Sequence, residues 1–204
     1  MKKIFLIILL IACITSVYAK SLVYIPTAVS CDGVDATFAY DTKDKNNMFN
    51  LQGGLNGYEI SLTNYSNKFD ADKFMPTSKT IINAQWQIMP DVNMIPAVAV
   101  GAKDLTSKIN KTPAFYAVAT KNFSDFIPFP LLEKLSVTAG VSHQSIGVFG
   151  GLDVQLGFVY ATAETYKKGT NFSAGFTFFD DKVKIGWQRF NKNNYITANA
   201  GITF

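Results

Sequence analysis

Tyr195-Ile196-Thr197-Ala198-Asn199-Ala200-Gly201-Ile202-Thr203-Phe204 alternates without a break. Ile196, Ala198, Ala200, Ile202 and Phe204 fall on one face, and Thr197, Asn199, Gly201 and Thr203 fall on the other. Successive side chains of a β-strand point to opposite sides, so this stretch makes a strand with one apolar and one polar surface. The same period returns upstream. Val183, Ile185 and Trp187 alternate with Lys184, Gly186 and Gln188; Phe172, Ala174, Phe176 and Phe178 alternate with Asn171, Ser173, Gly175 and Thr177. Ile82, Ala84, Trp86 and Ile88 alternate with Ile81, Asn83, Gln85 and Gln87, and Tyr58, Ile60 and Leu62 with Glu59, Ser61 and Thr63.

Turn chemistry falls between these runs. Asn56-Gly57 is the preferred pair for a two-residue hairpin, because both positions tolerate positive φ. Pro90–Asn93, Lys167–Gly169, Asp180-Asp181 and Asn191–Asn194 mark further turns. The pattern predicts strands over 33–41, 48–55, 57–65, 79–89, 95–104, 113–122, 133–144, 147–154, 156–165, 170–179, 182–190 and 195–204. No amphipathic helix and no domain boundary interrupt them.

Strands of about ten residues suit a tilted membrane-crossing strand better than a soluble sheet. Their polar faces carry mostly Ser, Thr, Asn, Gln and Gly, as a wet lumen would. Backbone groups facing lipid cannot bond water, so such a sheet must close. The expected fold is therefore all-β: a closed antiparallel up-and-down transmembrane β-barrel of about twelve strands, roughly 24 Å across the backbone. An even strand number puts both termini and the short turns on the periplasmic side, with the 66–78 connection outward. The 123–132 connection is then a long periplasmic one, and its Pro-spaced aromatics are expected at the membrane interface or in the barrel mouth. Phe204, closing an apolar-out strand, is the expected signal for the outer-membrane assembly machinery.

Composition agrees: of 204 residues 48% are hydrophobic and only 17% charged, against about 25% charged in soluble domains. Lys2-Lys3, the apolar run Ile4–Ala12 and Val17-Tyr18-Ala19 read as a secretory signal peptide over 1–19, cleaved after Ala19. Residues 20–204 then form a single barrel domain in the bacterial outer membrane. An alternative is lipidation at Cys13, because Leu10-Ile11-Ala12-Cys13 resembles a lipobox. With cleavage after Ala19 only Cys31 remains, so no internal disulfide is expected. Losing Lys2 and Lys3 leaves 17 basic against 15 acidic residues, without a basic stripe, which excludes a nucleic-acid partner.

Four stretches resemble the YjbH-like outer-membrane β-barrels associated with bacterial exopolysaccharide production. They are Ile25-Pro26-Thr27-Ala28, the run Ile95-Pro96-Ala97-Val98-Ala99-Val100-Gly101-Ala102-Lys103-Asp104-Leu105, then Phe115-Tyr116-Ala117-Val118-Ala119-Thr120-Lys121 and Phe149-Gly150-Gly151-Leu152. The chain would be a short variant of that group. The resemblance implies a non-enzymatic barrel, a narrow pore or an accessory to envelope or exopolysaccharide export, with outer-membrane lipid, the barrel-assembly machinery and polysaccharide-export proteins as partners. It supplies no catalytic residues.

The candidate chemistry is sparse. Asp104 and Lys121 end consecutive strands and are expected to meet inside the barrel as an ion pair, with Asp35, Glu59 and Lys184 as further lumen-facing charges able to gate or select solutes. His143-x-Ser145 resembles the motif of outer-membrane phospholipase A and lipid A deacylases, which keeps a lipid hydrolase open as an alternative. Ile146 stands where that motif has Asn, and Gly157 where those enzymes carry an orienting polar or acidic group. A soluble periplasmic barrel binding an apolar ligand is a second alternative. Trp86, Trp187, Tyr58 and Tyr195 are expected in interfacial aromatic belts. No cofactor or metal is expected.

Overall fold

The computed structural model describes residues 25–43, 46–66, 79–108, 112–143, 146–167, 169–190 and 193–203. Among them twelve antiparallel strands form one closed barrel. They are β1 Gly33–Asp41, β2 Asn47–Leu55, β3 Tyr58–Ser66, β4 Lys79–Met89, β5 Ala97–Lys103 and β6 Ala114–Asn122. The second half comprises β7 Leu132–Ser142, β8 Val148–Leu156, β9 Val159–Tyr166, β10 Gly169–Phe178, β11 Val183–Phe190 and β12 Asn193–Thr203. Each strand pairs with its neighbours in sequence, and β1 meets β12 from Gly33↔Thr203 to Asp41↔Tyr195. That last ladder removes both edges. The expected signal segment, Cys13 and Phe204 lie outside the described residues, as does most of the 66–78 connection.

The period-two pattern sorts side chains by face. Phe38, Leu51, Ile60, Trp86, Val100, Val137, Leu152, Phe176, Ile185 and Ile196 are exposed on the outer surface. Asp35, Gln52, Glu59, Gln85, Asp153, Glu164, Asn171, Lys184, Gln188 and Asn199 are buried on the inner one. A water-soluble ligand-binding barrel has the reverse polarity, which removes that alternative.

One rim, here the lower, carries Gly33, Thr203 and the tight turns. Asn56 (φ 53°) and Gly57 (φ 83°) make the expected hairpin. The β8–β9 turn lies at Gly157-Phe158, later than the pattern predicts, and Gly157 supplies its positive φ of 52°. The 123–132 connection holds a 3₁₀ turn at Ser124–Phe126 and exposes Phe126, Phe129 and Leu131, so it does not fold into the mouth.

Inner-face aromatics are laid on glycines of the adjacent strand or of the one beyond it. A Cβ on Gly101 would sit 2.4 Å from Tyr116 Oη, one on Gly140 2.2 Å from Phe149 Cζ, and one on Gly186 2.3 Å from Tyr160 Oη. The rings therefore lie along the wall, and the absent Cβ atoms make the room.

Candidate functional site

Residues 25–32 precede β1 and run inside the barrel. Cys31 N donates to Glu59 Oε2 at 3.1 Å, and Ser30 donates to Gln87 Oε1 from both its backbone N (3.2 Å) and its hydroxyl (2.7 Å). Ala28 N donates to Thr120 Oγ1 at 2.9 Å, and Ile25 N to Glu164 Oε2 at 3.2 Å. The acceptors stand on β3, β4, β6 and β9 in turn. The segment thus leaves the lower rim and climbs across the lumen toward the opposite wall. Ile25 and Ala28, 3% and 0% exposed, pack in a cluster with Ala97, Ala99, Tyr116, Val118, Ile146, Phe149 and Tyr166. Small side chains on β5 leave the space that the segment fills.

A second group lines the inner wall toward the lower rim. Lys134 Nζ pairs with Asp153 Oδ2 at 2.5 Å. Gln155 Nε2 donates to Asp181 (2.7 and 2.8 Å) and to Glu133 Oε2 (2.6 Å). Asn199 Nδ2 donates to Asp35 Oδ1 at 2.8 Å and to Thr37 Oγ1 at 2.7 Å. Lys184 lies in the opposing fields of Lys134 and of Asp153, Asp181 and Asp35, with its ammonium 5.3 Å from the Tyr160 ring centre. Charges are kept inside by mutual pairing and hydrogen bonds, as buried charge requires.

No family model matches the sequence, and no curated protein matches it. The chain is similar to solved structures of three engineered variants of the Rhodopseudomonas blastica porin. Each is 16% identical over 78% of this chain, with TM-scores of 0.34, 0.34 and 0.35. The match covers 54% of the porin chain in two cases and 56% in the third, so this chain spans about half their length.

Of the five charges expected to face the lumen, Asp35, Glu59 and Lys184 are buried on the inner face. The Asp104–Lys121 pair does not form. Consecutive antiparallel strands end at opposite rims, and the register sets Lys103 against Ala114 but Ala97 against Thr120. Asp104 instead caps the turn after β5, accepting from Thr106 Oγ1 and Lys108 N. Lys121 follows the inward Thr120 and so belongs to the outer face. There it pairs with Asp91 and lies 5.3 Å from the Phe126 ring centre. Tyr195, expected in a belt, is buried inside at 2% exposure, whereas Tyr58 and Trp86 stack on the outer surface with ring centres 6.0 Å apart.

His143 is exposed at the upper rim beyond β7. Its Nδ1 lies 3.5 Å from the Phe115 carbonyl oxygen, and its ring stacks on Phe115. No carboxylate bonds that ring among the described residues, and Ser145 lies outside them. The interior segment was missed by sequence reasoning, since Ile25-Pro26-Thr27-Ala28 has neither strand nor helix periodicity. The available signal was the run of Ala and Gly on β5, too small to fill a lumen.

Proposed function

We propose that the chain is a non-enzymatic bacterial outer-membrane β-barrel, built as a narrow pore that rests closed and serves as an accessory in envelope or exopolysaccharide export. The observation that carries the membrane location is polarity: a closed cylinder with large apolar side chains outside and charged and amide side chains within. Such a surface is stable against lipid and unstable against water. Export with cleavage after Ala19, insertion by the barrel-assembly machinery and contact with polysaccharide-export proteins belong to the same reading.

The YjbH-like role draws support from where the four resembling stretches meet. Ile25 and Ala28, Ala97 and Ala99, Tyr116 and Val118, and Phe149 come from those stretches and pack in one cluster. Similarity concentrated on one seat is what a shared interior segment would leave in sequence. Outer-membrane fractions are expected to show heat-modifiable migration on a gel, and deletion of the gene to lower secreted exopolysaccharide. Recovery from the periplasm as a detergent-free monomer would refute the location; unchanged exopolysaccharide with a normally inserted barrel would refute the export role.

A further inference from the structure

We propose that residues 25–32 are a displaceable plug over a cation-selective path, an inference that rests on the membrane-barrel reading above. A wall strand is fixed by a ladder of backbone bonds to two neighbours. The bonds from this segment that run to Glu59, Gln87, Thr120 and Glu164 end instead on side chains, which can turn to other partners.

The space it occupies is not otherwise filled by the large side chains nearby. Tyr116 and Phe149 lie against Gly101 and Gly140 on the wall, and Tyr160 against Gly175 and Gly186. Next to the segment the wall offers Ala97 and Ala99. Withdrawing Ile25 and Ala28 therefore opens the centre of that arc rather than collapsing rings into it.

The exposed path would be negative. Among the described residues, Asp35, Asp41, Glu59, Asp153 and Glu164 are buried on the inner face of the strands, against a buried Lys184 and the half-buried Lys103 and Lys134. Lys134 pairs with Asp153, and Lys184 lies in the field of Lys134 as well as of Asp153, Asp181 and Asp35. Glu59 and Glu164 flank the track itself, where each holds a backbone N–H of the segment. Once those donors leave, two carboxylates face a narrow lumen with low-dielectric walls, which concentrates small cations and repels anions.

The test is planar-bilayer recording under a KCl gradient with the full processed chain and with a variant lacking residues 25–31, both checked for heat-modifiable migration. The native chain is expected to be silent and the deletion to conduct with a cation-selective reversal potential. Glu59→Lys together with Glu164→Lys in the deletion should shift that potential toward the anion side. Equal conductance of native and deleted chains, an inserted but silent deletion, or a potential indifferent to both charge reversals overturns the proposal. If the deletion does not assemble, Ile25→Asp with Ala28→Asp in the full chain keeps the whole wall and drives the segment from its apolar seat; an inserted, silent double variant overturns the plug equally. A native chain that fails to insert refutes the membrane reading and the plug with it.

Discussion

The arc from β5 to β8 and the arc from β10 through β12 to β1 close one cylinder and present the same apolar belt outward, but they fill it differently. On the first, Ala97, Ala99, Gly101, Gly140 and Gly151 keep the inner face shallow, and the chain's own residues 25–28 supply the bulk. On the second, Asn171, Lys184, Gln188, Tyr195 and Asn199 reach inward themselves. A strand pattern specifies only which side a residue faces. What occupies the middle depends on side-chain length summed over strands distant in sequence, so two arcs with one pattern can be a packed seat and a polar network.

If the first arc is a packed seat, truncation there should have the largest effect. Phe149 is 3% exposed, and Phe149→Ala is expected to cost about 3–5 kcal/mol in urea unfolding of the barrel in vesicles. It should also raise protease access to residues 25–32. A cost below that of a single polar substitution in the second arc would break the comparison. Next comes Gly140→Ala, whose Cβ would meet the Phe149 ring at 2.2 Å and the Ala117 carbonyl oxygen at 2.7 Å. Relieving that overlap should cost about 1–3 kcal/mol. Gly150→Ala, with its nearest atom an ordinary 3.4 Å away, is the control and should stay within about 0.5 kcal/mol of the parent in the same titration.

The wall was largely legible in sequence because alternation and Asn-Gly chemistry are local. Asn56-Gly57, the strand limits around 33–41 and 79–89 and the outward set from Ile185 to Ile196 follow from neighbours one or two residues away. The β8–β9 turn was misplaced because Gly157-Phe158 lacks a polar partner beside its glycine. Interior chemistry was less legible. Placing Asp104 beside Lys121 required strand direction, which two C-terminal strand ends in succession contradict. Finding residues 25–32 inside required knowing that β5, β6, β8 and β9 all leave room at one height, a property no window of the chain contains.

The lumen and the outer rim also differ in how they hold charge, and smaller effects sharpen this. Asp153 pairs with Lys134 and lies in the field of Lys184. Asp153→Asn keeps the shape and one acceptor but leaves two ammonium groups less compensated, for an expected loss of about 1 kcal/mol. That loss should persist in high salt, because a lumenal pair sits in a narrow, low-dielectric space.

The outer-rim pair behaves otherwise. Lys121 bonds Asp91, whose other oxygen accepts from Asn122 N at 2.8 Å, so Lys121→Met leaves the carboxylate with a backbone donor and keeps the aliphatic stem near Phe126. The expected loss is about 0.2–1 kcal/mol, falling as salt is raised. Urea titrations of both variants at low and high salt separate the cases. A rim loss that exceeds the lumenal one and ignores salt would mean that the clasp between the 90–96 connection and the end of β6, rather than either interior arc, holds the lower rim closed.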